Sequence, residues 1–378
     1  MNMPVMIINR RNERMNKKFL LIDADSQTGF PNLALMKISA YYKKYENATV
    51  ELRLGVPDSL PLETYDGVFI SCVYFQNRPK VWNYAQQLKY PVQVGGSGFD
   101  LQKTLPEKVE HMKPDYALYN IEYSMGFTSR GCVRKCGFCV VHEKEGLIRD
   151  HASITEFHFA YHRNLVLLDN NFLASPKWKE NLEYVIDNKL RINFNQGLDI
   201  RLINNENATM LAETEFRTWK FNTKRLAFAY DSLRYKRQVK AGVQTLADAG
   251  IKPYRLMFYV LVGYDTTIYE DLDRIDTLVK LGVDPYIMRY NQNEGTHRIL
   301  MHLARWVNWR AYKMCSFFDY DYSDSQEAIK KAFETPHKSW GGYYCSHGAY
   351  AWAHRDIDLE TEQVNEIQTE LEDYEQEK

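Results

Sequence analysis

Three cysteines stand close together in this 378-residue chain, in the segment Ser-Arg-Gly-Cys-Val-Arg-Lys-Cys-Gly-Phe-Cys of residues 129–139. Thiolates spaced like Cys132, Cys136 and Cys139 can surround one metal centre, and iron–sulfur clusters are held by such thiolates. The basic residues between them favour the thiolate form that binds metal. Three local thiolates leave one iron of a four-iron, four-sulfur ([4Fe-4S]) cluster without a protein ligand. An open metal position is typical of a catalytic site.

A zinc site is the alternative that the same segment leaves open. His142 follows Cys139 by three residues, so three thiolates and one imidazole could bind zinc. The chain would then be a zinc-stabilised binding module for nucleic acid or protein. Zinc knuckles are usually small separate modules, whereas this segment opens a long series of strands and helices. Charge is balanced, with 48 Lys and Arg against 49 Asp and Glu, and there is no clear nucleic-acid footprint.

The other cysteines and the apolar runs indicate the compartment. Six cysteines in a chain of this length are not a disulfide framework, and they fit a reducing cytosol. We expect Cys72, Cys315 and Cys345 to be buried and inert, because they are scattered. No apolar stretch approaches the ~20 residues of a membrane-spanning helix, and the start of the chain is a poor signal peptide. These features predict a cytoplasmic protein without a membrane partner.

Strands and helices alternate in the region before the cysteines. The strands are expected at residues 19–23, 49–54, 67–71 and 91–95, and the helices at 32–44 and 82–88. Short buried strands separated by helices predict an α/β fold, here a Rossmann-like, doubly wound parallel sheet over residues 19–120. Gly95 to Gly98 follow a strand, at the position where such sheets bind ligands.

A second alternating series begins at Gly126. Its strands are expected at residues 127–129, 164–168, 191–194, 225–230, 255–262 and 285–290, and its helices at 177–188, 205–213, 232–249 and 268–281. Six such units predict a (β/α)6 partial TIM barrel over residues 121–295, with its chemistry at the carboxyl ends of the strands.

The two ends of the chain differ from these series. Residues 1–18 are expected to form a flexible arm, and residues 296–378 a mostly helical region with an acidic tail. From Asp356 onward the tail fits a solvated amphipathic helix, and a partner-binding helix is the alternative.

The cysteine spacing, with Phe138 just before the last cysteine, resembles the signature of the radical S-adenosylmethionine (SAM) superfamily. In that superfamily the open iron chelates the amino and carboxylate groups of SAM. An electron from the cluster then cleaves SAM to methionine and a 5′-deoxyadenosyl radical, which abstracts a substrate hydrogen. The resemblance implies an electron donor such as flavodoxin or ferredoxin, and a substrate that the sequence does not identify.

The same resemblance implies SAM contacts at several strand ends. Asp169 and Asn170 stand where the superfamily often has Gly-Gly-Glu for the methionyl amine, so these two residues would have to bind it. Asp231 and Ser232 match the position of polar groups for the ribose and carboxylate. For each of these residues, ordinary strand-end polarity is the alternative.

Further contacts are expected on the third, fifth and sixth strands of the series. Gly263 is similar to the superfamily's glycine that packs against the adenine of SAM. The backbone of Met288 would contact the same base. The polar strand end at residues 195–201 places Gln196 and Arg201 toward the expected barrel mouth. Arg201 could bind a carboxylate or phosphate, or it could pair with Asp199 alone.

The front domain resembles that of cobalamin-binding radical SAM enzymes, and the resemblance covers roughly residues 19–295. The Asp-x-His-x-x-Gly motif that supplies a histidine to cobalt is absent, since Asp23-Ala-Asp25 lacks the histidine. Some members bind cobalamin without that ligand and others keep the domain without the cofactor, so cobalamin stays open. If cobalamin binds, methyl transfer to an unactivated carbon is the leading reaction. Methylthiolation of RNA is disfavoured because a second three-cysteine set is lacking.

Overall fold

The computed structural model describes residues 17–290, 298–317 and 320. The chain divides into two compact units: residues up to 198 together with 206–226, and residues 199–205 together with those from 227 onward. No helix in the described residues is long and apolar enough to cross a membrane.

The first unit opens with a four-stranded parallel sheet. Its strands are β1 (Lys18–Asp23), β2 (Thr49–Leu54), β3 (Gly67–Ser71) and β4 (Val92–Gly95), in the order β2-β1-β3-β4. The apolar strands β1 and β3 are buried almost throughout. The chain order reverses between them, and such a switch point is where doubly wound sheets bind ligands. The predicted parallel α/β sheet is therefore present. Of the predicted flexible arm, Lys18 already belongs to β1, and residues 1–16 lie outside the described part.

Three helices accompany this sheet: α1 (Leu33–Glu46), α2 (Arg78–Gln87) and α3 (Glu107–Glu110). Helix α1 begins where the side chain of Asn32 accepts a hydrogen bond from Leu35 N, 3.1 Å away. Helix α2 begins earlier than the apolar pattern predicted, because Pro79 in its first turn suits a helix start. Leu35 packs with Phe19 of β1 in the core between α1 and the sheet.

The remaining strands and helices of the first unit carry the cysteine segment. The strands are β5 (Ser124–Gly126), β6 (Ser129–Arg130), β7 (Arg149–Asp150), β8 (Asn164–Leu167), β9 (Arg191–Phe194) and β10 (Glu215–Phe216). The helices are α4 (Val141–Lys144), α5 (Ile154–Phe157), α6 (Trp178–Asp187) and α7 (Asn205–Glu213). A sheet forms in the order β10-β9-β8-β5 with parallel pairs, while β6 and β7 pair antiparallel.

The predicted position of the first strand of this series, residues 127–129, is wrong by three residues. Strand β5 ends at Gly126, and Ser129 instead pairs with Asp150 across the β6–β7 ladder. Hydrogen bonds from Thr128 and Ser129 to the Asp169 carboxylate draw this stretch away from the parallel sheet. The sequence pattern did not predict β10.

The second unit holds a three-stranded sheet in the order β11-β12-β13, formed by β11 (Leu226–Ala229), β12 (Leu256–Val262) and β13 (Asp284–Arg289). Its helices are α8 (Lys236–Asp248), α9 (Ile268–Lys280) and α10 (Arg298–Asn308). A capping box between Thr267 and Glu270 begins α9. The predicted strands thus fall into two sheets, and closure into a (β/α)6 partial barrel stays a prediction, as do the domain boundaries at residues 120 and 295.

The scattered cysteines differ in burial. Cys72 is fully buried, as predicted, and its pKa is raised to about 11, chiefly by burial. Cys315 is only half-buried, so the prediction of a buried thiol is wrong there. Cys345 and the acidic tail lie outside the described residues.

Candidate metal and cofactor site

The cysteine loop connects β6 to α4, and its start requires a glycine. Gly131 has φ of +81°, and a Cβ atom there would lie 2.2 Å from the carbonyl oxygen of Leu147. Cys132 N donates to Gly146 O at 3.2 Å, and Cys139 N donates to Cys136 O at 3.0 Å. The loop is therefore closed at its base and holds its three cysteines half-buried.

Two N–H groups are directed at the sulfur of Cys132. Its sulfur accepts hydrogen bonds from Arg134 N at 3.3 Å and from Asn171 Nδ2 at 3.5 Å. Hydrogen bonds to ligand sulfurs are among the factors that set the potential of iron–sulfur clusters. Within the described residues, no three His, Cys, Asp or Glu side chains are gathered into a metal-binding group. The chemistry of the donor set, three thiols on one loop with N–H donors on sulfur, nevertheless fits a cluster.

Asp169, which follows β8, holds the approach to this loop. Its buried carboxylate accepts hydrogen bonds from Thr128 N at 3.1 Å and Oγ1 at 2.6 Å, and from Ser129 N at 2.6 Å and Oγ at 2.7 Å. Burial raises the pKa of Asp169, and these four hydrogen bonds offset part of that rise. The residue braces the cysteine segment against β8, while its predicted contact with SAM stays a prediction.

Asn170 has a buried donor without a partner. Its Nδ2 atom is shielded from solvent and makes no hydrogen bond within the described residues. Such an orphaned donor costs ~1–3 kcal/mol, which a ligand acceptor would relieve. The next residue in the chain, Asn171, donates to the sulfur of Cys132 in the cysteine loop. Gln196, exposed after β9, lies at the same carboxyl edge of the sheet.

The other candidate residues lie in the second unit. Arg201 forms a two-point ion pair with Asp199, Nε to Oδ1 at 2.6 Å and Nη2 to Oδ2 at 2.9 Å. Its guanidinium also lies 4.3 Å from the ring centroid of Tyr235. The expected pairing of Arg201 with Asp199 is therefore observed. The expected contact of Arg201 with a carboxylate or phosphate of a ligand stays a prediction.

Asp231 and Gly263 shape the carboxyl ends of β11 and β12. Asp231 Oδ1 accepts a hydrogen bond from Leu261 N at 3.1 Å, and burial raises the pKa of this carboxyl. Gly263 has φ of +78°, and a Cβ atom there would lie 2.5 Å from Leu300 Cδ1. Ser232 is half-buried, and its carbonyl accepts from Tyr235 N at 3.1 Å. The side chain of Met288 on β13 is 48% exposed.

A fully buried arginine positions these strand ends, and sequence reasoning missed it. Arg274 of α9 donates from Nη1 to Tyr230 O and from Nη2 to Leu261 O, both at 2.7 Å. Its charge is balanced by Asp271, whose pKa is raised to about 6, chiefly by burial. The signal was available, because Asp271 and Arg274 stand three residues apart among the apolar residues of an amphipathic helix.

A second missed group ties the cysteine segment to the front sheet. Glu110 of α3 accepts from Lys37 at 2.9 Å, from Arg130 at 2.8 Å and from His151 at 3.1 Å. These donors hold the pKa of Glu110 far below its ordinary value despite burial. Arg130, two residues before Cys132, also stacks over Phe127 at 3.5 Å. A further tie runs from Lys144 of α4 to Ser97 Oγ at 2.7 Å.

The switch point of the front sheet does not by itself fit cobalamin. Cβ atoms at Gly96 and Gly98 would lie 2.4 Å from Cys72 O and 2.5 Å from Tyr74 C, so the glycines let the loop after β4 pack on the loop after β3. Asn77 Nδ2 donates to Asp25 Oδ1 at 2.7 Å. The loops that follow β1, β3 and β4 contain no histidine for cobalt.

Comparison with solved structures identifies the fold. The chain is similar to the radical S-adenosylmethionine methyltransferase TsrM from Kitasatospora setae with cobalamin and a [4Fe-4S] cluster bound, with a TM-score of 0.54 and 12% identity over 73% of this chain and 75% of that one. A second TsrM structure, with tryptophan substrate and the SAM analogue aza-SAM, gives 0.54 and 11% over 72% and 73%. No family model and no curated protein matches the chain. The predicted resemblance to radical SAM proteins with a cobalamin-binding-like front domain is thus confirmed at the level of the fold.

Proposed function

We propose that this chain is a radical SAM enzyme whose Cys132, Cys136 and Cys139 hold a [4Fe-4S] cluster. The observation that carries the proposal is a closed cysteine loop at the carboxyl edge of a parallel sheet, in a fold shared with TsrM. When bound, the cluster would supply the electron that cleaves SAM to methionine and a 5′-deoxyadenosyl radical. That radical would then take a hydrogen atom from the substrate.

The chain's own residues would prepare the site for this chemistry. Arg134 N and Asn171 Nδ2 stabilise negative charge on the Cys132 sulfur. Asp169 fixes Thr128 and Ser129. It thereby sets the direction of the chain between the end of β5 and the cysteine loop. Asn170 Nδ2 would donate to a polar group of SAM, which satisfies the buried donor.

The SAM contacts proposed for the second unit remain Asp231, Ser232, Gly263 and Met288. Support comes from the backbone around them. Asp231 accepts a hydrogen bond from Leu261 N, and Arg274 donates to the carbonyl oxygens of Tyr230 and Leu261. The ends of β11 and β12 are therefore fixed before any ligand binds. A rigid strand end positions ligand groups better than a loose one.

An anaerobic experiment tests the proposal. The protein is reconstituted with iron and sulfide, its absorbance is recorded, and 5′-deoxyadenosine is measured after SAM and dithionite are added. We expect a brown protein that forms 5′-deoxyadenosine. Cys136→Ala should abolish both colour and product, whereas Cys315→Ala, which removes a thiol outside residues 129–139, should keep both. A colourless protein with stoichiometric zinc, or a reduced cluster that never cleaves SAM, would contradict the proposal.

For the reaction on the substrate we propose methyl transfer, as in the neighbour; the front sheet offers cobalt no histidine, so cobalamin binding is tested separately. The support is the neighbour TsrM, a methyltransferase with cobalamin bound, together with the parallel sheet order β2-β1-β3-β4. Titration with hydroxocobalamin, followed by absorbance after removal of free cofactor, tests the binding. If the protein retains no cobalamin, methyl transfer of this kind is excluded while SAM cleavage stands. Flavodoxin or ferredoxin remains the proposed electron donor, and its replacement of dithionite is measured in the same assay.

A further inference from the structure

A cavity of about 750 Å³ lies in the first unit, at the end of the sheet where the strands begin. The cysteine loop lies at the opposite end, where the strands finish. Asn164, Arg191 and Glu215, the first residues of β8, β9 and β10, line it. These strands are parallel, so their first residues share one edge, while Asp169 and the cysteine loop follow strand ends at the other. The cavity is therefore separate from the proposed SAM site and independent of the proposed function.

Three basic side chains of the cavity are unpaired. Arg163, Lys189 and Arg191 line it, and none of them forms an ion pair within the part of the chain that the structure describes. Arg191 N donates to Arg163 O at 2.8 Å, so the backbones of these two residues are adjacent, while Asn164 is the residue in register with Arg191. Arginine stays protonated at all physiological pH values, so this charge is permanent.

The carboxylates of the cavity do not balance that charge. Glu215 already pairs with Arg217 at 2.9 Å and with Lys224 at 3.3 Å. Glu122 is the one other carboxylate among the described lining residues, and it is exposed. An anion entering the cavity would therefore meet unpaired guanidinium groups, which bind phosphate oxygens in pairs.

The wall of the cavity also offers aromatic rings and unused polar atoms. Tyr161 is 85% and Phe159 43% exposed, with ring centroids 5.4 Å apart. Exposed rings of this kind stack on planar ligands. Two buried atoms of lining residues, Asn164 Oδ1 and Arg217 Nε, lack a hydrogen-bond partner within the described residues. Buried polar atoms without partners cost free energy unless a ligand or water satisfies them.

We propose that this cavity binds a nucleoside diphosphate. Its phosphates pair with Arg163, Lys189 and Arg191, and its base stacks against Phe159 and Tyr161. A ligand with both an anionic and an aromatic part uses the two features that the cavity places together, whereas a simple anion uses one. The volume lies within the range of pockets that enclose a ligand of this size.

Calorimetric titration of the full chain with ADP tests the proposal, with pyrophosphate and adenosine as the partial ligands. We expect ADP to bind at least about tenfold more tightly than either. Arg191→Ala and Arg163→Ala should each weaken ADP binding by about tenfold, because each removes a charge-assisted contact. Arg237→Ala, an exposed arginine on α8, is the matched control and should leave the affinity unchanged.

Two results would overturn the proposal. One is ADP binding that is absent, or equal in the wild type and the Arg163→Ala/Arg191→Ala double variant. The other is pyrophosphate binding as tight as that of ADP, which would leave the rings without a role. A repeat in saturating SAM should give the same ADP affinity, and competition would show that ADP occupies the SAM site instead. Circular dichroism of the variants separates lost binding from lost folding, since all the substituted side chains are exposed.

Discussion

Asn170 is the residue at which binding and stability should respond in opposite directions. Its Nδ2 atom is buried without a partner, so the folded protein without ligand gains nothing from this donor. Asn170→Ala should leave the melting temperature unchanged or higher, because it removes an unsatisfied polar group worth ~1–3 kcal/mol. The same substitution should weaken SAM binding by about tenfold, because the ligand loses a hydrogen bond. Cluster absorbance should not change.

The measurement pairs equilibrium binding of SAM with thermal unfolding. Asn83→Ala, an exposed asparagine on α2, serves as the control and should change neither quantity. If Asn170→Ala lowers the melting temperature and leaves SAM affinity as it was, the amide has a purely structural role.

At the scale of elements, α9 fixes the ends of two strands through one side chain. Arg274→Ala should destabilise the fold by about 3–5 kcal/mol, because it leaves the Asp271 carboxylate buried without its partner. The pair variant Asp271→Leu/Arg274→Met should recover much of that loss, since apolar groups of similar volume can replace a buried ion pair.

The pair variant separates positioning from stability. It lacks the donors to Tyr230 O and Leu261 O, so the strand ends that carry Asp231 and Gly263 are less firmly held. We expect KM for SAM to rise about tenfold with little change in kcat, as for a lost binding contact. Arg274→Lys, which retains a cation, should give an intermediate KM. Recovered stability together with an unchanged KM would show that Arg274 supports the fold alone.

For the whole molecule, the sequence predicted what is set by local patterns. The apolar runs of β1 and β3 gave the front sheet, and the cysteine spacing gave a fold that comparison with TsrM supports. Contacts between residues far apart in the sequence were harder to predict. The displaced strand β5 depends on Asp169, 40 residues after Ser129, and such a contact leaves no periodic signal. Glu110 was missed because its partners lie far along the chain. The spacing of Arg274 from Asp271 was visible in the sequence, but the backbone carbonyls that Arg274 holds leave no pattern there.

The ion pairs of Glu110, which join the front sheet to the cysteine segment, should make the stability of the fold depend on pH. Glu110 accepts from Lys37 and Arg130, and its folded pKa is far below the ordinary 4.5. A carboxyl with a lowered folded pKa contributes stability that is fully present above its unfolded pKa and lost as pH falls through the folded value. Glu110→Gln should therefore cost about 3 kcal/mol near neutral pH, where it leaves the buried Lys37 without its anion and Arg130 with Glu145 alone. The difference from the wild type should shrink as pH falls below 4.5.

Urea unfolding of both proteins from about pH 7 down to about pH 3 measures this difference. Glu107→Gln is the control on the same helix, because that side chain is 87% exposed and its ion pair within the described residues is with His111. It should change stability by less than about 1 kcal/mol at every pH. A Glu110→Gln deficit that is constant across the range would show that the carboxylate's charge does not hold the cysteine segment to the front sheet. A deficit that closes on acidification means that the same ion pairs fix Arg130, and with it the start of the cysteine loop, relative to the sheet.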